Sequence, residues 1–385
     1  MKKILICIIC LFVMIPFIKA EENNNTLAPN AKSAILIEES TGEILYEYNS
    51  HEKLEPASMT KMMSLVLIME AIEKNVISLD QIIIISENAS SMGGSQILLE
   101  TGEQMSVDDL LKGITIASGN DAVVALAESI AGTEDNFVKM MNDKVKKLGL
   151  KDTNFKNCHG LDEEGHYSSA YDMAFIAREL VKHQKILDYS SIYETYLREG
   201  TNKKIWLVNT NKLVRFKEGV DGLKTGYTEG AGYCLTATMK KADMRVIATV
   251  MGEPTSQVRN SEVSSMLDYA YAQVGIKKLL STNSVVETIN LPKSKVDEVK
   301  IVPKDNVTIL YKKIDGDITP TYEIDIKDIN VPTKKGDIVG TLKVKNNNKI
   351  VNKVDLTVLE DVEKCNLFEL YIKYLKKIIS GNISF

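Results

Sequence analysis

The chain has 385 residues, 44% of them hydrophobic, and a formal net charge of −5. That length supports one large domain with a sizeable core and a smaller domain beside it. The mild acidity argues against nucleic acid as a bulk electrostatic partner.

The first twenty residues form a unit of their own. Lys2 and Lys3 precede an apolar stretch from Ile4 to Ile18, and Ala20 stands before Glu21-Glu22-Asn23. A basic start, a short apolar run and a small residue at the cut predict a secretory signal peptide over 1–20. The stretch is short for a bilayer span. Its removal would take Cys7 and Cys10 with it. Cys158, Cys234 and Cys365 would remain, too scattered for a disulfide framework.

A polar linker (21–31) leads to Ser33–Glu38 and Glu43–Tyr48, two β-rich runs flanking Ser40-Thr41-Gly42, which predict a hairpin. Next comes Pro56-Ala57-Ser58-Met59-Thr60-Lys61, opening an apolar helical run through Leu65, Ile68, Met69 and Ile72. Residues i and i+3 share a helix face, so the amine of Lys61 falls within reach of the Ser58 hydroxyl. A serine becomes a nucleophile when a base takes its proton. Lysine serves as that base when burial or a second cation lowers its pKa.

From Leu79 to Leu187 the pattern is helical with loops. Ser106 caps a helix carrying Asp108 and Asp109 in its first turn. Ser118-Gly119-Asn120 then breaks that helix before a new one begins at Asp121. The expectation is a tight turn presenting short polar side chains without burying them. Cys158 to Leu180 holds His159 and His166; with Asp162 or Glu163 they lack the spacing of a zinc motif. A triad pairing one of these histidines with Ser58 is a further option, but Lys61 is a nearer base. Loop histidines held by backbone hydrogen bonds are the simpler reading.

From Val220 the chain returns to strands: Val220–Tyr227, then Tyr233–Lys240 and Met244–Met251 around Lys241-Ala242-Asp243. A helix follows, with Val258, Met266, Tyr269 and Ala270 on its apolar side, ending near Gly275. The predicted fold is α/β of the α+β kind. A single antiparallel sheet combines the N-terminal hairpin with these later strands, helices flank it, and the helical middle is inserted. This catalytic unit would span 32–276.

Short alternating stretches at Glu298–Val302, Val307–Tyr311 and Tyr322–Ile326, punctuated by Pro303, Gly316, Pro320, Pro332 and Gly336, predict a small all-β domain over 284–360. It would end in a hairpin from Gly340 to Val358 around Asn346-Asn347-Asn348. Across 366–385, Leu367, Leu370, Tyr371, Tyr374, Leu375, Ile378 and Ile379 recur at helical spacing, while Lys373, Lys376 and Lys377 lie mostly off the stripe. This predicts a basic amphipathic helix for a membrane surface, as against a helix packed on its own β domain.

Ser58-x-x-Lys61, Ser118-Gly119-Asn120 and Lys224-Thr225-Gly226 therefore occur in one order, each weak alone and strong together. With their surroundings, P-A-S-M-T-K, A-S-G-N-D-A, H-G-L-D-E-E-G-H-Y-S-S-A-Y-D-M-A and V-D-G-L-K-T-G-Y-T, the chain closely resembles the low-molecular-mass penicillin-binding proteins that are serine-type D-alanyl-D-alanine carboxypeptidases. The resemblance is detailed from Asn30 to Gly275 and looser beyond. Two departures, Cys158 where relatives often have proline and Tyr227 where some have histidine, remove no catalytic side chain.

The resemblance implies a hydrolase of peptidoglycan stem peptides ending in D-Ala-D-Ala, covalently blocked by β-lactams, exported to the outer face of the cytoplasmic membrane or the cell wall, and needing no cofactor or metal. It implies Ser58 as nucleophile, Lys61 as base and Ser118 as proton relay. Asn120, Lys224, Thr225, Gly226, Tyr227 and Arg259 would bind substrate, with Lys224, Thr225 and Arg259 forming a cationic end for the terminal carboxylate. Three alternatives differ in activity. A β-lactamase would need a deacylating glutamate, for which Glu163 and Glu164 lie in the right interval but in a carboxypeptidase-like context. A silent wall-binding protein would keep the groove without turnover, and endopeptidase or transpeptidase activity would use the same scaffold.

Overall fold

The structure, a computed structural model, describes residues 27–315, 319–346 and 349–379. The expected signal peptide, most of the linker, Gly316, the Asn347-Asn348 part of the last hairpin and residues 380–385 lie outside these.

Five antiparallel strands form the central sheet: β1 (Ser33–Glu38), β2 (Ile44–Tyr48), and later β7 (Val220–Thr228), β8 (Gly232–Lys241) and β9 (Met244–Glu253). Their order is β2-β1-β9-β8-β7, so the N-terminal hairpin joins the sheet through β1 against β9. Alternation along each strand builds two cores. Ile35, Ile37, Ile247 and Met251 face one side; Ala34, Leu36, Val246, Ala248 and Val250 face the other. Because both faces are covered, every residue of β1 is buried.

The inserted region, between β2 and β7, makes the first core. Helix α1 (Lys61–Glu73) lies at its centre, buried on nearly all sides. Around it come β3 (Ile82–Ile84), α2 (Glu87–Ser90), β4 (Gln104–Ser106), α3 (Val107–Ile116), α4 (Asn120–Ala131), α5 (Glu134–Lys147), α6 (Ala170–Lys182) and α7 (Lys185–Ser190). Ser106 caps α3 as expected, its Oγ accepting from Asp109 N–H. A small hairpin, β5 (Glu194–Leu197) with β6 (Ile205–Val208), and the short α8 (Leu213–Phe216) lead back to the sheet. On the opposite face α9 (Ser256–Gln273) closes the second core with Val263, Met266, Leu267 and Ala270.

Helix α9 runs without a break into β10 (Val274–Leu280), which pairs with β13 (Val307–Lys312). A second five-stranded antiparallel sheet, β11-β12-β16-β15-β14, comprises β11 (Glu287–Asn290), β12 (Glu298–Pro303), β14 (Thr321–Ile326), β15 (Gly340–Asn346) and β16 (Lys349–Val358), with its own apolar core. The last helix, α10 (Leu367–Ile379), docks on this domain through Lys373, whose Nζ donates to the carbonyls of Ser294 (2.8 Å) and Val296 (3.1 Å).

Candidate active site

Ser58 sits in a single 3-10 turn, Ala57–Thr60, that runs directly into α1, so Lys61 is the first residue of the helix and fully buried. Ala57 takes φ +47°, a strained value for a residue with a Cβ. Two glycines hold this turn. A Cβ on Gly160 would lie 1.9 Å from the Ala57 carbonyl oxygen, and one on Gly226 would lie 2.8 Å from that of Pro56. No side chain fits at either place.

The Lys61 Nζ lies 2.9 Å from Ser58 Oγ, 2.6 Å from Asn120 Oδ1 and 2.7 Å from the His159 carbonyl oxygen. Its pKa is held well below the usual lysine value, first by burial and second by the charge of Lys224. Of the two causes that the motif allows, desolvation is therefore larger than the second cation. A neutral amine has two N–H donors and one lone pair. Asn120 and His159 offer two acceptors, which leaves the lone pair for the Ser58 hydroxyl.

Ser118 and Gly119 form the expected turn between α3 and α4, and Asn120 opens α4, one residue earlier than expected. The expectation that they stay unburied is corrected: Ser118 is 4% and Asn120 2% exposed. They are covered because the 93–97 segment closes over them. Asn120 Nδ2 donates to the Gly93 carbonyl (2.7 Å), and its backbone N–H to that of Ser95 (2.7 Å). Ser118, at φ +65°, has a buried Oγ with no hydrogen-bond partner among the described residues.

Lys224, Thr225 and Gly226 lie on β7, the edge strand beside the Ser58 turn. Lys224 is 1% exposed, and its pKa is lowered to about 7 by burial and then by Arg259. Thr225 Oγ1 donates to Thr210 Oγ1 (2.7 Å), a residue that sequence reasoning missed. Tyr227 is half exposed, its ring 4.4 Å from that of Tyr233. Arg259, in the first turn of α9, is 5% exposed. The His159 carbonyl and the cradle at Gly160 also escaped the sequence; only the glycine after His159 could have signalled so close an approach.

The loop histidines behave as structural groups. His166 Nδ1 accepts from Lys156 N–H (3.0 Å), and its Nε2 meets Thr60 Oγ1 (2.8 Å). Burial lowers His166 to about 4 and His159 to about 3, so both are neutral at neutral pH. Among the described residues no three His, Cys, Asp or Glu side chains gather as a metal site.

A hydroxyl, a desolvated amine and a largely buried strand carrying Lys224, set between an antiparallel sheet and a mainly helical lobe, define a serine acyl-transfer enzyme of the penicillin-binding type. The family model for D-alanyl-D-alanine carboxypeptidase matches residues 19–255, and the model for the C-terminal domain of penicillin-binding protein 5 matches residues 276–364. Among curated relatives, the D-alanyl-D-alanine carboxypeptidase DacF of Bacillus subtilis is 49% identical over 92% of this chain and 91% of its own. The crystal structure of penicillin-binding protein 5 from Haemophilus influenzae aligns with a TM-score of 0.70 at 33% identity, covering 87% of this chain and 98% of that one. The ampicillin-bound penicillin-binding protein D2 of Listeria monocytogenes aligns over 63% of this chain and 98% of that one, at 30% identity and a TM-score of 0.57. The chain belongs to the D-alanyl-D-alanine carboxypeptidase family. It is a serine-type carboxypeptidase.

Proposed function

We propose that Ser58 is the nucleophile and Lys61 its base. The Ser58 hydroxyl gives its proton to Lys61 Nζ as Oγ bonds to the carbonyl carbon between the two D-alanines of a stem pentapeptide. The carbon–nitrogen bond then breaks, and the proton returns to the leaving D-alanine amine through Ser118. Water hydrolyses the resulting ester and regenerates the hydroxyl. The observation that carries this reading is the pair of acceptors that leaves the Lys61 lone pair facing Ser58. The unpartnered Ser118 Oγ supports a relay role. The backbone N–H groups of Ser58 and Tyr227 would stabilise the oxyanion, each contributing roughly 3–4 kcal/mol.

Asn120 would both hold Lys61 and meet the substrate backbone, with Gly226 and Tyr227 lining the strand it lies along. Lys224, Thr225 and Arg259 would receive the terminal carboxylate, the feature that makes the enzyme an exopeptidase. A β-lactam would present a carboxylate to the same groups and acylate Ser58 through its ring carbonyl, the ring carbon–nitrogen bond breaking as the ester forms. We further propose that residues 1–20 direct export and that 32–276 and 284–360 are the catalytic and accessory units. The α10 helix would lie on the outer face of the cytoplasmic membrane. Leu367, Phe368, Tyr371, Tyr374 and Ile378 are exposed along it, while no helix among the described residues is long and apolar enough to cross a membrane.

The test is mass spectrometry of peptidoglycan peptides incubated with the purified protein. The expected result is conversion of pentapeptide to tetrapeptide with free D-alanine, lost in Ser58→Ala. A long-lived penicillin adduct on Ser58 is expected too. Rapid clearing of penicillin, or an adduct elsewhere, would refute the assignment.

A further inference from the structure

Behind the cationic end of the groove lies an acid pair that the proposed chemistry does not use. Glu253, the last residue of β9, is 1% exposed, and no hydrogen-bond donor reaches either of its carboxyl oxygens among the described residues. The group facing it is the carboxyl of Glu262, on α9. Glu262 is itself 7% exposed. It accepts from the backbone N–H (3.2 Å) and the side-chain amide (2.5 Å) of Asn30, so its orientation is fixed from the far side.

Two facing, buried carboxylates repel, and neither can donate to the other. One proton between them removes both problems. The other charged and titratable groups around the pair are Arg259 on α9, Tyr233 and Cys234 on β8, Lys32 beside Gly252, and Tyr46 on β2, next to Glu262. Among the described residues Arg259 is the strong countercharge to Glu253. Yet among them its guanidinium hydrogen-bonds only to Asn260 Oδ1, at 3.1 and 2.9 Å. It stands one helical turn before Glu262 and is tied to neither acid. Its charge, meanwhile, is felt at Lys224.

We infer that Glu253 is a positioning residue: it shares a single proton with Glu262, and that proton keeps Arg259 from collapsing onto the acids, leaving the guanidinium free for the substrate carboxylate. The inference rests on the proposed role of Arg259. Burial, followed by Glu262, pushes the Glu253 carboxyl up to about 9, with Arg259 opposing the shift. Below that value the pair carries one negative charge. Above it Glu253 ionises, Arg259 is drawn to it, and the substrate loses its partner while the acylating groups stay in place.

The experiment measures KM and kcat for a peptide ending in D-Ala-D-Ala, between about pH 7 and about pH 10, for the full chain and for Glu253→Gln, Arg259→Gln and the double variant. In the unsubstituted protein KM should rise roughly tenfold across this range, the scale of one charge-assisted hydrogen bond. Glu253→Gln keeps a donor toward Glu262 but cannot ionise, so its KM should follow only the loss of charge on Lys224, lowered to about 7 and common to all the variants, and lack the further rise of the unsubstituted protein, with kcat curves that superimpose on the unsubstituted ones. Arg259→Gln should raise KM at every pH and abolish the difference made by Glu253→Gln.

Infrared difference spectroscopy gives a second readout: a protonated carboxyl band at about pH 7, absent in Glu253→Gln and lost in the unsubstituted protein as pH passes the titration of the pair. Coinciding KM profiles for the unsubstituted protein and Glu253→Gln, with Arg259→Gln impaired, overturn the inference alone, as does absence of the band at neutral pH. An unimpaired Arg259→Gln overturns the carboxylate role of Arg259 and the inference with it.

Discussion

Replacing Gly160 by alanine tests how the nucleophile is held. The new Cβ would sit 1.9 Å from the Ala57 carbonyl oxygen and 2.9 Å from Ser58 N. Opening the first of these to at least 3.0 Å requires a displacement of about 1.1 Å. The obstacle is backbone, so no side chain can swing aside. Either the Ser58 turn retreats toward Gly226, where a second backbone contact blocks it, or the 158–166 loop withdraws and takes the His159 carbonyl off Lys61. Misplacement on this scale costs roughly 10²-fold in rate, or about 2.7 kcal/mol of barrier.

Stability should fall as well, by about 2–4 kcal/mol, since alanine at φ +91° is strained and the site is overfilled. The assay is the second-order rate of acylation by a fluorescent penicillin, read at a temperature where thermal unfolding shows the variant folded. Gly165→Ala is the control. It lies in the same loop at φ +80°, but its Cβ would meet only the far end of Lys156, at 3.2 Å. It should lose stability and keep its acylation rate. If Gly160→Ala acylates within about threefold of the unsubstituted protein, or if Gly165→Ala slows equally, the clasp plays no part in positioning Ser58.

Three further outcomes are expected. Lys224→Met removes the second cause of the lowered Lys61 pKa and leaves the first, so the acidic limb of the acylation profile should move to higher pH without activity vanishing; a limb that stays still means the Lys224 charge is not felt. Lys144→Met leaves Glu70 and Glu179 facing each other and should cost about 2–3 kcal/mol at neutral pH in urea unfolding, discounted because Glu70 keeps 21% exposure. Lys144 and its neighbours hold Glu179 down at about 2 from 4.5, so the stabilisation is present above 4.5 and disappears as pH falls through about 2; the deficit of the variant should shrink over that window. Paired Phe368→Glu and Tyr371→Glu substitutions should abolish cosedimentation with anionic lipid vesicles while D-alanine release from a soluble peptide is unchanged; retained cosedimentation removes the membrane role of α10.

Much of this arrangement is legible in the chain. The three motifs fall on a turn, a helix–helix junction and an edge strand, and the β-rich runs at Ser33–Glu38 and Met244–Met251 become neighbouring strands. What the sequence does not reveal is coverage. Helix α1 shows little polar face because it is enclosed on nearly all sides, and the turn at Ser118-Gly119 with Asn120 is buried by a segment some twenty residues upstream. Backbone groups leave no residue-type signal, so the His159 carbonyl that fixes Lys61 was invisible. Strand β10 was missed because its exposed Lys277 and Lys278 interrupt any apolar pattern; its partner β13 supplies the reason it forms. The Glu253–Glu262 pair joins residues nine positions apart on a strand and a helix, and neither looks unusual in isolation.

The passage of α9 straight into β10 leaves no slack between the catalytic sheet and the all-β domain beyond it. Ser40 Oγ and Thr308 Oγ1 meet at 2.8 Å, and Lys313 Nζ donates to the Tyr271 carbonyl at 2.7 Å, so the junction is stitched at several points. A tilt imposed at the far end of the molecule would therefore be passed to the groove as a lever passes on rotation.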